Sequence, residues 1–336
     1  MLAEVEESGS NEMLQLMRAT IHGGIVALTA AVASGGGAAM AETSCPGHAD
    51  ALGTARVLTV SAATTPRVGL KQFPATLALA PKEVVLTFDD GPWPGPTQKV
   101  LDALKHECVR ATFFLLGRNA AAAPALAQRE LAEGHTIAYH TFAHPLLNRM
   151  SVAAADAEID RGITAVDRAV YGEAGMQPRV PFFRFPGFAA SPALLDRMAA
   201  RGTVVFGADL WASDWNPMSP ARQLALTLQR LSAAGRGIVL FHDTKSQTAA
   251  MLPAFLRALK MRGYQVVHVV PAGATAAATP CARPDPAESG RAQGLFVWSS
   301  MALCLEHVLI GEPASTSPGH APAPQCRLIV RTRRLA

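Results

Sequence analysis

Three things are missing from this 336-residue chain, and each absence removes a class of function. No stretch reaches the ~18–20 unbroken apolar residues, flanked by charge, that a spanning helix needs, so no stable membrane span is expected. None of the five cysteines (Cys45, Cys108, Cys281, Cys304 and Cys326) stands in a CxxC pair, which argues against a cysteine metal site. Positive charge is not concentrated: the formal net charge is +4 and the basic run from Arg331 to Arg334 is only a short tail, so no nucleic-acid partner is expected. There is also no internal repeat. What the chain does have is apolar material, 49% of its residues, enough for one large core or two modest ones.

The first 41 residues read as a leader and signal peptide. Arg18 supplies a positive region, residues 24–41 are small and apolar, and Ala39-Met40-Ala41 fits signal cleavage before Glu42. The mature protein is therefore expected outside the cytoplasm, in the periplasm or the medium. The acidic stretch before Met13 is unusual for such a signal and points to Met13 or Met17 as the start of translation. Residues 42–80 form an N-terminal extension without a clear period. An oxidising compartment permits one disulfide. Cys45 and Cys281 flank the presumed domain and are the expected pair, while Cys108, just before an apolar strand, is expected as a small buried residue. Residues 272–336 are rich in Ala, Pro, Gly and Ser, a tail without packed structure apart from a short helix over 294–310.

Between these flanks, over 81–271, short apolar runs alternate with amphipathic ones. Strands are expected at 84–88, 111–116, 136–139, 182–185, 203–207, 237–241 and 265–270, all short and mostly unalternating, as strands buried on both faces are. Leu252, Phe255, Leu256 and Leu259 make one helical stripe. Ser191-Pro192 and Ser219-Pro220 read as an N-cap followed by proline at the first helical position, and Ser151 caps a further helix. Seven strands and about six helices in alternation predict a parallel α/β fold, a barrel or a doubly wound sheet.

Polar residues collect at the C-terminal ends of these strands: Asp89 and Asp90, His140 and His144, Arg184, Asp209 with Asp214 and Trp215, and His242 with Asp243. In a parallel barrel all of these ends share the face on which active sites are built. Adjacent carboxylates at Asp89-Asp90 repel, so a cation must hold at least one of them ionised, and Gly91-Pro92 turns the chain away from both. His140 and His144 are spaced i, i+4, which sets two imidazoles on one side of a helical turn, and with Asp90 they compose a His-His-Asp metal site with open positions for water. Arg184 stands among apolar residues, so its guanidinium is expected inside and paired, Asp89 or another buried carboxylate being the partner. His242 taken alone is either structural or functional. Asp214 is either a helix cap or the partner of His242.

These residues carry a resemblance. Thr87-Phe88-Asp89-Asp90-Gly91-Pro92, His140-Thr141-Phe142-Ala143-His144, Arg184-Phe185-Pro186, Asp214-Trp215 and Leu240-Phe241-His242 resemble, in order, the five motifs of the polysaccharide deacetylases of carbohydrate esterase family 4, whose shared unit is the NodB homology domain. The resemblance covers 81–271. It implies a distorted (β/α) barrel of about seven parallel strands and removal of N-acetyl groups from an N-acetylglucosamine-containing glycan, such as peptidoglycan or a chitooligosaccharide. Asp89 would be the general base, oriented by Arg184. Asp90, His140 and His144 would hold one divalent metal, Zn²⁺ first, with Co²⁺ or Mn²⁺ also compatible. His242 would be the general acid, held by Asp214. Pro186 and Gly187 would border the substrate, a backbone N–H near Gly187 sharing the oxyanion charge, and Trp215 and Leu240 would line the acetyl slot. This chain has Ala143 where the family often has Ser or Thr, and Phe188 where it often has Gly or Tyr. Neither change removes a ligand, and both bear on substrate choice.

Two histidines and a carboxylate also make the facial triad of non-haem iron oxygenases, but those enzymes use double-sheet β folds, not alternating strands and helices. The same residues are also compatible with a non-catalytic glycan binder and with an amidase of the same fold acting on a small or cyclic amide.

Overall fold

The computed structural model describes residues 45, 48–175 and 177–273. The signal segment, the expected helix over 294–310 and Cys281, Cys304 and Cys326 lie outside the described residues. Among those described, no helix is long and apolar enough to cross a membrane.

Among the described residues ten strands pair, and every pairing is parallel. They are β1 (Arg56–Val60), β2 (Arg67–Val68), β3 (Glu83–Asp89), β4 (Thr112–Leu115), β5 (Thr136–Tyr139), β6 (Phe182–Phe183), β7 (Val204–Phe206), β8 (Leu210–Trp211), β9 (Gly237–His242) and β10 (Gln265–Pro271). Seven of them form one arc in the order β8, β9, β3, β4, β5, β6, β7. Only three residues, 207–209, join the two ends of that arc, so it must curl round on itself. The result is the expected distorted (β/α) barrel, with no ladder between β7 and β8 among the described residues. β2 takes the free edge of β7, and Leu70, Lys71 and Ala208 bond across the seam: Leu70 N–H to Asp209 Oδ1 at 2.8 Å, Lys71 N–H to the Ala208 carbonyl at 2.9 Å, and Ala208 N–H to Gln72 Oε1 at 2.8 Å. β10 and β1 extend the sheet from β3.

All seven expected strands are present. β1, β2 and β8 were not anticipated, because two of them are only two residues long and β1 lies in the extension that shows no period.

Among the described residues seven α-helices cover the outside: α1 (Pro96–His106), α2 (Gly117–Ala122), α3 (Pro124–Ala132), α4 (Val152–Tyr171), α5 (Pro192–Ala200), α6 (Pro220–Ala234) and α7 (Ser246–Met261). Three begin as expected, with the Ser151, Ser191 and Ser219 side chains accepting from backbone N–H groups of the first turn. The stripe Leu252, Phe255, Leu256 and Leu259 is wholly buried.

Strand alternation then decides what faces the lumen. Along β3, Val84, Leu86 and Phe88 join the cluster under the helices, while Val85 joins the inner cluster and Thr87 and Asp89 share its face. Phe182 points in and Phe183 out, which sends Arg184 inward. Val239 and Phe241 point out, which sends Leu240 and His242 inward. The chemistry sits where the apolar filling of the barrel ends.

Cys45 is bonded to Cys108, not to Cys281. The reason lies in the register of the extension. Gly53 N–H donates to the Glu107 carbonyl at 2.8 Å, Arg110 N–H to Thr54 Oγ1 at 2.8 Å, and Leu52 N–H to Glu107 Oε2 at 2.9 Å, which lays the extension along the end of α1. Cys108 is thus half of a crosslink and not a free core thiol.

At the opposite end of the barrel His135 is buried, its Nδ1 accepting from the Ala111 N–H at 3.1 Å and its ring edge-on to Phe113. Burial first, then His268 and two arginines, hold this imidazole down at about 3. Below pH ~6.5 the unfolded chain therefore binds a proton that the folded chain refuses, so this contribution to stability is present above that pH and is lost as the pH falls toward 3. Between pH 7 and pH 5 the wild type is expected to lose about 2 kcal/mol relative to a His135→Gln variant, read as the difference in urea unfolding free energies. Parallel pH profiles for the two proteins would contradict it.

Candidate active site

Asp89 closes β3, and Asp90 begins the loop after it with φ 74. Among the described residues seven non-glycine residues have positive φ, and five of them (Asp90, Thr141, His144, Phe188 and Ser213) belong to the loops at this one mouth, a clustering of backbone strain typical of ligand-binding and catalytic sites. The Asp90 loop is pinned on both sides. Asn119 Nδ2 donates to the Asp90 carbonyl at 2.7 Å. The buried Asp243 carboxylate accepts from Thr97 Oγ1, which in turn accepts from the Trp93 N–H at 2.8 Å. Asp243 also fills the space where a Cβ at Gly91 would lie, so only glycine fits there. Burial pushes the Asp243 carboxyl up to about 7.

Arg184 is fully buried and ties the centre together. Its guanidinium donates to Asp89 Oδ1 at 2.6 Å, Thr87 Oγ1 at 2.9 Å and the Gly207 carbonyl at 2.8 Å, and it lies 4.2 Å from the centre of the Phe114 ring. Of the carboxylates open to it from sequence, Asp89 is the partner. Burial drives the Asp89 carboxyl above the usual carboxylate range, against the pull of the Arg184 charge.

His140 and His144 do not lie on a helical turn. Residues 140–144 form a loop in which Thr141 and His144 are left-handed and the Thr141 hydroxyl accepts from the His144 N–H at 3.1 Å. The loop still brings both rings to Asp90, with His140 Nε2 at 3.6 Å and His144 Nε2 at 3.5 Å from Asp90 Oδ1. The Arg184 carbonyl fixes His140 at Nδ1, 2.7 Å away, which leaves Nε2 aimed at Asp90. Burial lowers this imidazole to about 3, so His140 is neutral and able to ligate. Asp90 Oδ1 is buried without a hydrogen-bond partner, and one ligand atom from each of the three residues lies within 4.8 Å of the others. An orphaned carboxylate oxygen facing two imidazole nitrogens is a donor set that suits a divalent cation.

Across the mouth, His242 Nδ1 lies 2.8 Å from Asp214 Oδ1, and Asp214 Oδ2 accepts from the His242 N–H and from Thr248 Oγ1, each at 2.7 Å. Asp214 therefore holds His242 and caps no helix. Burial alone would lower the His242 imidazole, but the Asp214 bond and charge, with Asp89 and Asp90, outweigh it and hold the ring at about 9. His242 Nε2 points back to Asp90 Oδ2, 3.9 Å away.

These groups open into one cleft of about 350 Å³, lined also by Phe185, Gly187, Phe188, Trp211, Trp215, Leu240 and Lys245. Pro186 is buried in the short turn that carries Gly187 and Phe188. Asp209, which shared the strand-end position, is not at the cleft. Its carboxylate accepts from Leu70 N–H, Thr76 Oγ1 and Ile238 N–H and fastens the extension to the barrel. Trp211, Lys245 and Asn119 were missed. Trp211 stands at the end of β8, a strand too short to read, and the other two lie on loops or helices whose approach to the mouth no spacing announces.

Residues 77–206 match the family description polysaccharide deacetylase. The chain is 34% identical over 189 residues to a peptidoglycan-N-acetylglucosamine deacetylase of Listeria monocytogenes, an alignment covering 56% of this chain and 38% of that protein. It is 31% identical over 204 residues to a chitooligosaccharide deacetylase of Bradyrhizobium, covering 56% of this chain and 90% of that one. A solved structure of a peptidoglycan deacetylase from Bdellovibrio bacteriovorus superposes with a TM-score of 0.57 at 33% identity, over 65% of this chain and 59% of that one. The chain thus spans little more than a third of the length of the Listeria relative. With the motifs assembled at one barrel mouth and the Bradyrhizobium protein matched over nearly its whole length, this chain belongs to the polysaccharide deacetylase family.

Proposed function

We propose that this protein is a metal-dependent hydrolase that removes N-acetyl groups from an N-acetylglucosamine-containing glycan, peptidoglycan or a chitooligosaccharide. The observation that supports it is the sharing of one cleft by an arginine-held carboxylate, a His-His-Asp donor set and a carboxylate-held histidine.

Asp90, His140 and His144 would hold a divalent cation, Zn²⁺ suiting this donor set, which would supply Lewis acidity to the acyl oxygen and acidify water. Asp89 receives the proton of the attacking water at Oδ2, since Arg184 occupies Oδ1 and keeps the carboxylate aligned. The Gly187 backbone N–H is the candidate second donor to the charge that grows on the acyl oxygen. His242, oriented through Nδ1 by Asp214, gives its Nε2 proton to the departing sugar nitrogen as the C–N bond breaks. Acetate is left against Leu240 and Trp215. The residues over 24–41 support export to the compartment where such glycans lie.

Acetate release from N-acetylglucosamine oligomers and from peptidoglycan, with and without a chelator, tests this reading. Chelation is expected to abolish release and added Zn²⁺ to restore it. Full activity after the metal has been removed would overturn it.

A further inference from the structure

The wall of the cleft formed by Trp211 receives a residue from outside the family match. Lys71 precedes the matched residues, which begin at 77, and its Nζ lies 5.4 Å from the centre of the Trp211 ring. Lys71 is not on a loose arm. Besides its own bond to the Ala208 carbonyl, its neighbours Leu70 and Gln72 bond to Asp209 and Ala208, Thr76 Oγ1 bonds to Asp209 Oδ2 at 2.7 Å, and Gly69 and Gly207 approach too closely for any side chain on Gly69. The strap that fills the seam between β7 and β8 thus delivers an ammonium group to Trp211, a residue of the cleft wall.

A second ammonium stands on the other side of β8. Lys245 follows β9, which pairs with β8, and is one of the residues that line the cleft. Between the two lysines in strand order lie Trp211 and Trp215, the latter 47% exposed and edge-on to both Trp211 and His242. Among the described residues neither lysine pairs with a carboxylate. Two lysines without a carboxylate partner, one beside half-buried Trp211 and one at the same cleft as exposed Trp215, suit a ligand that offers a ring face together with an anion.

We propose that Lys71 and Lys245 form a carboxylate-recognising subsite beside the catalytic centre, so that the preferred substrate is an N-acetylated glycan carrying an acidic substituent on the sugar next to the one that loses its acetyl group. This rests on the deacetylase reading of the same cleft. Among the described residues the Lys71 ammonium makes no hydrogen bond, so its N–H donors can meet a carboxylate oxygen. Each lysine contributes at the scale of a half-exposed ion pair, so the two together yield about a fivefold preference at low salt.

The test uses peptide-free peptidoglycan glycan strands, whose lactyl groups bear carboxylates, and the same strands with those carboxylates converted to neutral methylamides. The full-length metal-loaded wild type is expected to show about fivefold higher kcat/KM on the acidic strands, the ratio shrinking at high salt. Lys71→Gln and Lys245→Gln should each reduce that ratio, and the double variant should bring it near one. Equal kcat/KM on both strands, or a ratio unmoved by the double variant, would overturn the subsite. Calorimetric binding of both strands to chelated protein reads the subsite without turnover: tighter binding of the acidic strand, lost in the double variant, supports it even if no acetate is released. Absence of acetate from either strand in the loaded protein counts against the deacetylase reading instead.

Discussion

Replacing Asp89 by asparagine is expected to reduce kcat for acetate release by about 10²- to 10⁴-fold while leaving the metal content unchanged, the span that a positioned general base supplies. Asparagine keeps the shape of the side chain, and its carbonyl oxygen still accepts from Arg184, so the donor set of Asp90, His140 and His144 stays in place. What is lost is the ability to take a proton at the oxygen that Arg184 leaves free. Turnover and metal content must be measured on the same preparation. A variant retaining more than a tenth of wild-type kcat with its metal bound would show that Asp89 is not the base. Loss of metal together with activity would point instead to a ligand role.

The second large effect is on folding. Arg184→Leu is expected to destabilise the protein by about 3–5 kcal/mol, the usual outcome of removing one partner from a buried charge pair. Asp89 would remain 3% exposed with no cation against it, and the Gly207 carbonyl and Thr87 hydroxyl would lose a donor. For a domain whose whole stability is on the order of 5–15 kcal/mol, that loss is large enough to read directly in urea unfolding. A double variant Asp89→Asn, Arg184→Leu separates the causes. Once the orphaned carboxylate is gone, the double variant should be more stable than Arg184→Leu alone. If the two unfold at the same urea concentration, packing and not charge dominates at this position.

Much of this architecture is legible in the amino-acid sequence. The seven anticipated strands announce themselves because parallel strands covered on both faces lie in short, continuous apolar runs, and residues at their ends share a face by topology alone. That is why Asp89, Asp90, His140, Arg184 and His242 group together from sequence. The failures have equally physical causes. β8 is two residues long and shows no period, so Trp211 had no strand to stand on. The partner of a cysteine depends on how the chain returns through space, and Cys45 runs beside Cys108 because residues 52–54 bond along 107–110. The spacing of His140 and His144 suits a helix, yet the strand end beneath them and two left-handed residues impose a loop. Asp209 looked like its neighbours in sequence, but its carboxylate faces the seam and not the mouth.

The strap at that seam bears on how the chain keeps from pairing with its neighbours while it folds. Arg67 pairs with Val205, and Arg56 with Val267, so the first two described strands wait for partners synthesised much later. Contacts so distant in sequence form late, after much loop-closure entropy has been spent. Until then β7 and β10 present raw edges of unpaired amides and carbonyls, the template on which one chain captures another. A fragment begun at residue 77, where the family match starts, would carry every catalytic group and keep those edges open permanently. Its failure would be aggregation and not inactivity.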